Sequence, residues 1–478
     1  MDLCARPAVE LSRLIRAREL SATELLTAVL ARIDEVNPAI NAIVTIAPEQ
    51  AFAAAADLDA RAARGAWTGP LHGLPIAIKD LAETAGIRTT YGSPLFASHL
   101  PAADAPHVAL LKRAGAVVIG KTNTPEFGAG AQTFNPVFGV TRNPYDTRLT
   151  PGGSSGGAAA AVAAGLLPFA DGSDLAASIR NPAAFCGLVG LRTTPGLVPA
   201  DPFDSLGVVG PIARSVPDAA LLLAGMCGTD PGLPLARPDR AADFTGLRPA
   251  PLRGLRVAWT DDLADLPVQP EVRAVLAARR ESLAESLAAA DAPGGAGAAG
   301  GAGAAGAAGG AGAAGGAGGA GGAGGAVIDA APHLSDADEV FSVLRAARMA
   351  QLAPLLRAHR DQIKPALAAN IEQGIALSGE QVAAAQLKRA EIFGRVRSFL
   401  ADGRYDVLAL PTVQVVPMAT YIDWMRSCSR ITVSGHPAIS VPAGLTPAGL
   451  PVGLQLVGPY GGDLRLLQIA AALMPRAE

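Results

Sequence analysis

The chain has 478 residues and a formal net charge of −3 at neutral pH, because 39 Lys and Arg nearly balance 42 Asp and Glu. This balance provides no basic field for nucleic acid or for an anionic membrane surface, so neither partner is expected. Residues 1–20 carry charges every few positions, which argues against a signal peptide, and the four cysteines are far apart in sequence. We therefore expect a cytoplasmic enzyme with reduced thiols.

The N-terminal part, about residues 1–65, is predicted to be helical. Ser21 or Thr23 can cap a helix whose apolar residues recur at helical spacing. That helix is expected to stop at Pro38.

Short apolar strands alternate with helices from residue 73 to about residue 191. The apolar run at 74–78 predicts a buried strand that carries Lys79 at its end, where side chains of an α/β sheet commonly meet a ligand. The run at 117–119 is followed in the same way by Lys121, which we interpret as a solvated strand end without a catalytic role.

Two serines lie in glycine- and alanine-rich sequence further along the chain. Residues 152–157 read GGSSGG and residues 172–180 read GSDLAASIR, which places Ser154 and Ser178 in segments of small side chains. Such backbone leaves N–H groups free to converge on the negative charge that develops when a serine attacks a carbonyl. The pattern indicates acyl transfer.

The C-terminal half is predicted to complete a mixed sheet covered by helices. Strands are predicted at 255–259, 407–410, 438–441 and 453–457, and long amphipathic helices at 271–290, 336–357 and 379–400. This alternation favours one α/β/α layered domain. Residues 294–326 contain only Gly and Ala, and we expect a flexible surface loop without a role in the chemistry.

The order and spacing of several motifs resemble those of the amidase signature family. These motifs are GLPIAIKD at 73–80, GAVVIGKTNTPEFG at 115–128, NPYD at 143–146, the two serine segments, NPAAFCGLVGLRTTPG at 181–196 and GHPAISVPAGLTPAGLPVGLQLVG at 435–458. The resemblance covers most of the chain. It implies a single domain over 1–478 with a large central sheet wrapped by helices, in which 73–196 forms the catalytic region and 327–478 continues the same domain after the Gly/Ala loop.

The resemblance also assigns roles to the three residues that the motifs share. It implies that Ser178 is the nucleophile that becomes the acyl-enzyme, that Ser154 relays a proton from a cis peptide bond, and that Lys79 is the general base. A lysine can accept a proton only if burial lowers its pKa from about 10.4 toward neutrality.

Further site residues follow from the same resemblance. Backbone N–H groups of Leu175, Ala176, Ala177 and Ser178 are implied to form the oxyanion hole. Family members usually carry glycines where this chain has Ala176 and Ala177, and a positive φ would be unfavourable at an alanine. Asp174 and Arg180 are expected to form a buried structural pair, and Gly128, Gly130 and Trp424 are expected at the substrate pocket.

The resulting hypothesis is an amidohydrolase that cleaves a small-molecule carboxamide and needs neither metal nor cofactor. Three alternatives stay open: a glutaminase component of the amidotransferase A type, a catalytically silent scaffold, and a Ser-His-Asp hydrolase. The last rests on residues 152–156, which fit G-x-S-x-G with Ser154 as nucleophile and His436 downstream. A homodimer is also left open.

Overall fold

The computed structural model describes residues 2–201, 203–230, 232–238, 241–292, 324–401, 403–415 and 425–474. Trp424 and residues 294–323 of the Gly/Ala tract lie outside the described residues. The strands are β1 Ile43–Ile46, β2 Pro75–Lys79, β3 Val117–Thr122, β4 Phe134–Asn135, β5 Gly139–Val140, β6 Phe169–Asp174, β7 Val189–Arg192, β8 Val208–Ala213, β9 Arg256–Trp259, β10 Ala326–Asp329, β11 Val407–Pro411, β12 Ala438–Leu445 and β13 Pro451–Val457.

Helices connect and cover these strands. They are α1 Ala8–Arg16, α2 Ala22–Ile40, α3 Pro48–Ala63, α4 Pro106–Arg113, α5 Gly156–Ala163, α6 Arg180–Phe185, α7 Val216–Met226, α8 Pro270–Asp291, α9 Ala337–Met349, α10 Ala353–Ala358, α11 Pro365–Ile375, α12 Gly379–Ala401, α13 Arg426–Ser434 and α14 Asp463–Leu473. Within the ranges given above, none of these helices is both long and apolar enough to span a bilayer.

The larger sheet has eight strands in the order β10-β9-β11-β13-β12-β7-β8-β6. Strands β10, β9 and β11 are parallel, and β11 pairs antiparallel with β13. Alternate residues of β9 enter different cores: Val257 packs in the cluster that contains α8 and α14, and Ala258 in the cluster that contains α9, α12 and α13. Helices therefore cover both faces, and the predicted α/β/α fold class is confirmed.

A second sheet of three strands, in the order β1-β3-β2, lies beside the larger one. Strand β2 packs against β6, and both are edge strands of their own sheets. The Lys79 N–H donates to the Asp171 carboxylate at 2.8 Å, so a side chain on β6 satisfies a main-chain donor of β2. The sequence predicted one central sheet, whereas the structure adds to the eight-stranded sheet a three-stranded sheet, which meets it at the end of β2, and a two-stranded sheet of β4 and β5.

The N-terminal region differs from its prediction at two points. A capping box between Ser21 and Glu24 begins α2, so Ser21 rather than Thr23 is the cap. The helix then runs past Pro38 and ends where Asn41 adopts a left-handed φ of 56°. Pro38 removes one main-chain donor, but Pro38 and Asp34, whose carbonyl loses that donor, are both exposed, so water can take its place. Strand β1, which the sequence analysis missed, follows directly.

The long helix predicted at 336–357 is broken in the structure. Helix α9 ends at Met349, a 3-10 turn covers Ala350–Leu352, and α10 begins at Ala353. Pro354 lies in the first turn of α10 and has no N–H to donate to the preceding turn. The interruption follows from that missing donor.

Asp291, the last residue of α8, contacts the C-terminal end of the Gly/Ala tract. Its carboxylate accepts the N–H of Gly254 at 3.0 Å and also the N–H of Gly325, just before β10. A short turn can therefore join α8 to β10.

We expect that replacing residues 293–323 with a short Gly-Ser turn leaves turnover of the expected amide reaction unchanged. Loop closure entropy changes by only about 0.6 kcal/mol for each halving of loop length, so the unfolding midpoint should stay equal or rise slightly. Steady-state kinetics and thermal unfolding of the two proteins test this. A folded variant with a tenfold loss of turnover would assign the tract a role at the active site.

Candidate active site

Lys79 is the buried centre of the site. All five positions of β2 are buried, and the strand ends with Lys79, which is 1% exposed. Its Nζ donates to three hydroxyls: Ser154 Oγ at 2.7 Å, Ser155 Oγ at 2.8 Å and Ser173 Oγ at 2.9 Å. Two of these hydroxyls come from the glycine-rich loop and one from β6, so these two segments converge on the amine at the end of β2.

Burial lowers the pKa of Lys79 to about 7, although Asp171 and Asp174 both act to raise it. Desolvation penalises the ammonium because its three hydrogen-bond partners here are neutral. A substantial fraction of the side chain is therefore the neutral amine near pH 7. Such an amine can accept a proton, which a surface lysine cannot do at this pH.

The hydrogen bonds at Ser155 limit which hydroxyl can give a proton to Lys79. Ser155 Oγ donates to the Ser173 carbonyl at 3.3 Å and accepts the Ser173 N–H at 3.3 Å, so its own proton is already engaged. A neutral amine has two N–H groups and one lone pair, so one of its three partners must donate to it. Ser154 and Ser173 are the hydroxyls that remain for this role.

Close backbone contacts require the glycines of the loop that carries Ser154. Gly152 has a φ of 82°, the Gly153–Ser154 peptide is cis, and a Cβ at Gly153 would lie 2.8 Å from the Gln132 nitrogen. At Gly157 a Cβ would lie 2.3 Å from the Asn123 nitrogen. Small residues are therefore needed for the loop and α5 to approach the neighbouring chain closely enough to aim Ser154 at Lys79.

Ser178 opens into a cavity of about 250 Å³ that Ser154 and Ser173 also line. Gly128 and Gly130 form part of its wall, as the sequence analysis expects, whereas Trp424 lies outside the described residues. The wall is largely apolar and includes Leu81, Phe127, Leu175, Phe341, Met349 and Met425. The cavity can hold an apolar group beside Ser154 and Ser178.

The segment that ends at Ser178 lines this cavity through Leu175, Ala176 and Ser178. Within the part of the chain that the structure describes, the N–H groups of Leu175, Ala176, Ala177 and Ser178 donate to no protein acceptor. The next two N–H groups do have an acceptor: those of Ile179 and Arg180 donate to Asp174 Oδ2 at 3.2 and 3.4 Å. Neither Ala176 nor Ala177 is among the described residues with positive φ, so alanine is compatible with this loop.

A fully buried ion-pair network holds the same loop. Arg180 donates to both carboxylate oxygens of Asp174, at 3.0 and 2.9 Å, and to the Ala176 carbonyl at 2.9 Å. The desolvation of Asp174 would raise its pKa, yet Arg180 and Arg192 lower it to about 2. The carboxylate therefore stays charged and keeps the Ser178 loop in place.

The same guanidinium ties this loop to distant parts of the chain. Arg180 also donates to Gln455 Oε1 at 2.6 Å, to Thr432 Oγ1 at 2.7 Å and to the Cys428 carbonyl at 3.1 Å. Helix α13 and strand β13 consequently help to position Ser178.

The interpretation of Lys121 as a solvated strand end is wrong. Its side chain is fully buried and donates to Thr84 Oγ1 at 2.9 Å and to Thr89 Oγ1 at 3.1 Å. Burial lowers the pKa of Lys121 to about 8, opposed by Asp80 and Asp171. The strand continues to Thr122 and runs beneath the loop after β2, which covers the lysine.

His436 does not contribute to the cavity that contains Ser154. The ring is buried, its Nδ1 lies 3.0 Å from the Ser434 carbonyl, and burial lowers its pKa to about 4. Since the hydroxyl of Ser154 contacts Lys79 instead, the geometry does not support the Ser-His-Asp alternative.

Sequence reasoning missed Ser155, Ser173 and Asp171 as members of the site. A usable signal was present in β6, because Asp171 and Ser173 are alternate residues of one strand and so face the same side. Two polar residues at that spacing on one face of a strand whose sequence is FADGSD indicate a functional face.

A family model described as Amidase matches residues 24–290 and 323–467. The chain is 34% identical over 495 residues to the A subunit of the glutamyl-tRNA(Gln) amidotransferase of Moorella thermoacetica, covering 100% of this chain and 98% of that protein. It is 34% identical over 496 residues to an acylamidase of Rhodococcus erythropolis, covering 98% and 96%. The structure of a bacterial aryl acylamidase of the amidase signature enzymes matches with a TM-score of 0.83 and 26% identity, covering 98% and 95%.

We expect the reaction of Ser178 with a fluorophosphonate to depend on the neutral form of Lys79. The rate should fall about tenfold for each pH unit below about 7, where the ammonium dominates, and should level off above it. Labelling reactions quenched at a series of times and analysed by mass spectrometry give the labelling rate at each pH. A flat profile between pH 5 and pH 8 would contradict a role for Lys79 as base.

Proposed function

The chain belongs to the amidase signature family, and we propose that it works through an acyl-enzyme on Ser178. The proteins it is similar to include an acylamidase, an aryl acylamidase and a peptide amidase. The chain is an amidohydrolase that cleaves a carboxamide C–N bond. The proposal is carried by one observation: Lys79, with a pKa near 7, contacts Ser154 at 2.7 Å beside the cavity that Ser178 lines.

Acylation begins when Ser178 Oγ attacks the amide carbonyl carbon. The proton of Ser178 passes to Ser154 Oγ as the proton of Ser154 passes to the neutral Nζ of Lys79. The carbonyl oxygen becomes negative and is stabilised by the N–H groups that precede Ser178. As the C–N bond breaks, the ammonium of Lys79 returns a proton through Ser154 to the departing nitrogen, which leaves as ammonia or an amine.

Deacylation repeats these transfers with water in place of Ser178. Water attacks the ester carbonyl, its proton passes through Ser154 to Lys79, and the same proton then returns to Ser178 Oγ as the carboxylic acid departs. Lys79 ends the cycle neutral, so no cofactor is needed to balance the reaction.

The lining of the cavity favours an amide with an apolar acyl group of modest size. Phe127, Phe341 and Met349 supply apolar surface next to the serines, and Arg348 is already paired with Asp204 at 2.7 Å. Aryl and aliphatic amides therefore fit this wall better than strongly charged substrates. A cytoplasmic location and the absence of a nucleic-acid or membrane partner remain predictions, and a homodimer remains open.

A second candidate function is the glutaminase of a tRNA-dependent amidotransferase, since the Moorella thermoacetica protein carries the name of such an enzyme. A protein of this kind would require a partner protein. Assaying the purified chain alone on glutamine and on aryl and aliphatic amides separates the two functions. Turnover of simple amides without a partner supports the amidase, and glutamine turnover that appears only with a partner supports the second candidate.

We expect Ser178→Ala to lower kcat on an amide substrate by several orders of magnitude without changing the unfolding midpoint, because the variant removes only the attacking oxygen. A fluorophosphonate should label Ser178 in the unaltered protein, as peptide mass spectrometry can show. Ser205→Ala provides a serine control away from Lys79. A label on Ser154 or Ser155 would overturn the assignment of the nucleophile.

We expect Lys79→Ala to lose far more activity on an amide than on the matching activated ester. An amine leaving group needs the returned proton, whereas a good alkoxide does not. The measured quantity is the ratio of kcat/KM for the amide to that for the ester. An unchanged ratio would mean that Lys79 is not the proton donor to the leaving group.

A further inference from the structure

A second cavity, of about 410 Å³, is lined by Lys79. The two cavities are adjacent and share six lining residues: Leu81, Ser173, Ala200, Asp201, Val209 and Arg348. Asp171 and His107 line the second cavity, and each is almost fully buried, with 1% and 4% exposure. The mechanism described above uses neither residue.

Asp171 contacts the catalytic lysine directly. Its Oδ1 accepts the main-chain N–H of Lys79 at 2.8 Å, at the seam where β2 and β6 meet. Two residues along the same face of β6, Ser173 accepts from Nζ of the same lysine at 2.9 Å. One face of β6 thus holds both the backbone and the amine of Lys79.

His107, from the first turn of α4, faces the other carboxylate oxygen. Its Nε2 lies 3.4 Å from Asp171 Oδ2, and within the described residues neither ring nitrogen forms a full hydrogen bond. A buried imidazole whose ring nitrogens have no hydrogen-bond partner, beside a buried carboxylate, calls for an explanation beyond packing. When it carries a proton, the ring opposes the negative charge that Asp171 places beside Lys79.

We propose that Asp171 and His107 are positioning residues for Lys79, in which Asp171 fixes the end of β2 and His107 offsets the charge of that carboxylate. This inference rests on the role of Lys79 proposed above. An unopposed carboxylate favours the ammonium, which is inactive as a base. The pair therefore sets the fraction of Lys79 that is neutral, and with it the lower end of the pH range of the enzyme.

The other charged groups around the pair are already engaged. On β6, Asp174 pairs with Arg180, and on β3 Lys121 faces Asp171 from beneath the covering loop. At the second cavity, Asp104 binds Lys112, Arg348 binds Asp204 and lies 3.5 Å from Asp201, and Glu83 accepts the Tyr91 hydroxyl. Asp171 is the carboxylate that contacts Lys79 itself.

Replacing Asp171 with asparagine separates the effect of its negative charge from the effect of its hydrogen bond to the Lys79 N–H. Asp171→Asn keeps an oxygen for the Lys79 N–H but removes the charge, so the midpoint of the pH profile should move to lower pH by about one unit. His107→Leu removes the opposing group, and the midpoint should move to higher pH. Because His107 acts through Asp171, the double variant should match Asp171→Asn alone.

The readouts are the pH profile of Ser178 labelling by a fluorophosphonate and that of kcat/KM on an amide. Glu83→Gln, at the rim of the same cavity, is the matched control and should leave both midpoints unchanged. A profile for Asp171→Asn that falls in rate but keeps its midpoint would overturn the inference, as would a His107→Leu shift that persists in the double variant.

Two further measurements keep the outcomes distinct. If Asp171→Asn does not fold, as judged by thermal unfolding, the direction of the His107→Leu shift decides the inference alone. Lys79→Met tests the underlying function: if it labels with an unchanged pH profile, the proposed role of Lys79 fails. If it abolishes labelling while the Asp171 and His107 variants keep the original midpoint, only the positioning role fails.

Discussion

The site depends on burying one lysine amine among hydroxyl groups. Lys79 loses its hydration on entering the protein, and the three serines that replace water are neutral, so the ammonium is no longer strongly favoured. This arrangement requires β2, the glycine-rich loop and β6 to converge within hydrogen-bond distance. The division between the two sheets lies at this point, because Asp171 rather than a strand neighbour satisfies the Lys79 N–H.

A few residues further along the chain, two other buried ionisable groups keep their charges, in contrast to Lys79. Asp174 and Arg180 are both fully buried, and each remains charged because the other compensates the loss of water. Charge pairing stabilises a fixed loop, whereas the hydrogen-bond partners of Lys79 Nζ among the described residues are neutral hydroxyls, which favours a base. The strand alternation of β6 directs Ser173 and Asp174 to opposite faces, so the two environments remain separate.

Local sequence signals predict most elements but misjudge their ends and their surroundings. The helix stop predicted at Pro38 is wrong because Pro38 and the Asp34 carbonyl that loses its donor are exposed to water, so α2 continues to Ile40. Pro354 instead lies in the first turn of a new helix, where proline is favoured, and divides the long helix that was predicted. The apolar run that ends just before Lys121 predicts a solvated side chain. Its burial is instead decided by the loop at residues 80–90, which folds over it from elsewhere in the chain.

The sequence by itself determined the fold class, the family and the three residues expected to carry the chemistry, since Lys79, Ser154 and Ser178 lie in short motifs with fixed spacing. The tertiary structure alone decided which polar groups surround Lys79. Ser173, Asp171 and His107 come from segments that have no sequence proximity to it, and their effect depends on distance and burial. Neither quantity can be read from a linear pattern, because the electrostatic environment of a buried group is set by whatever the whole fold packs against it.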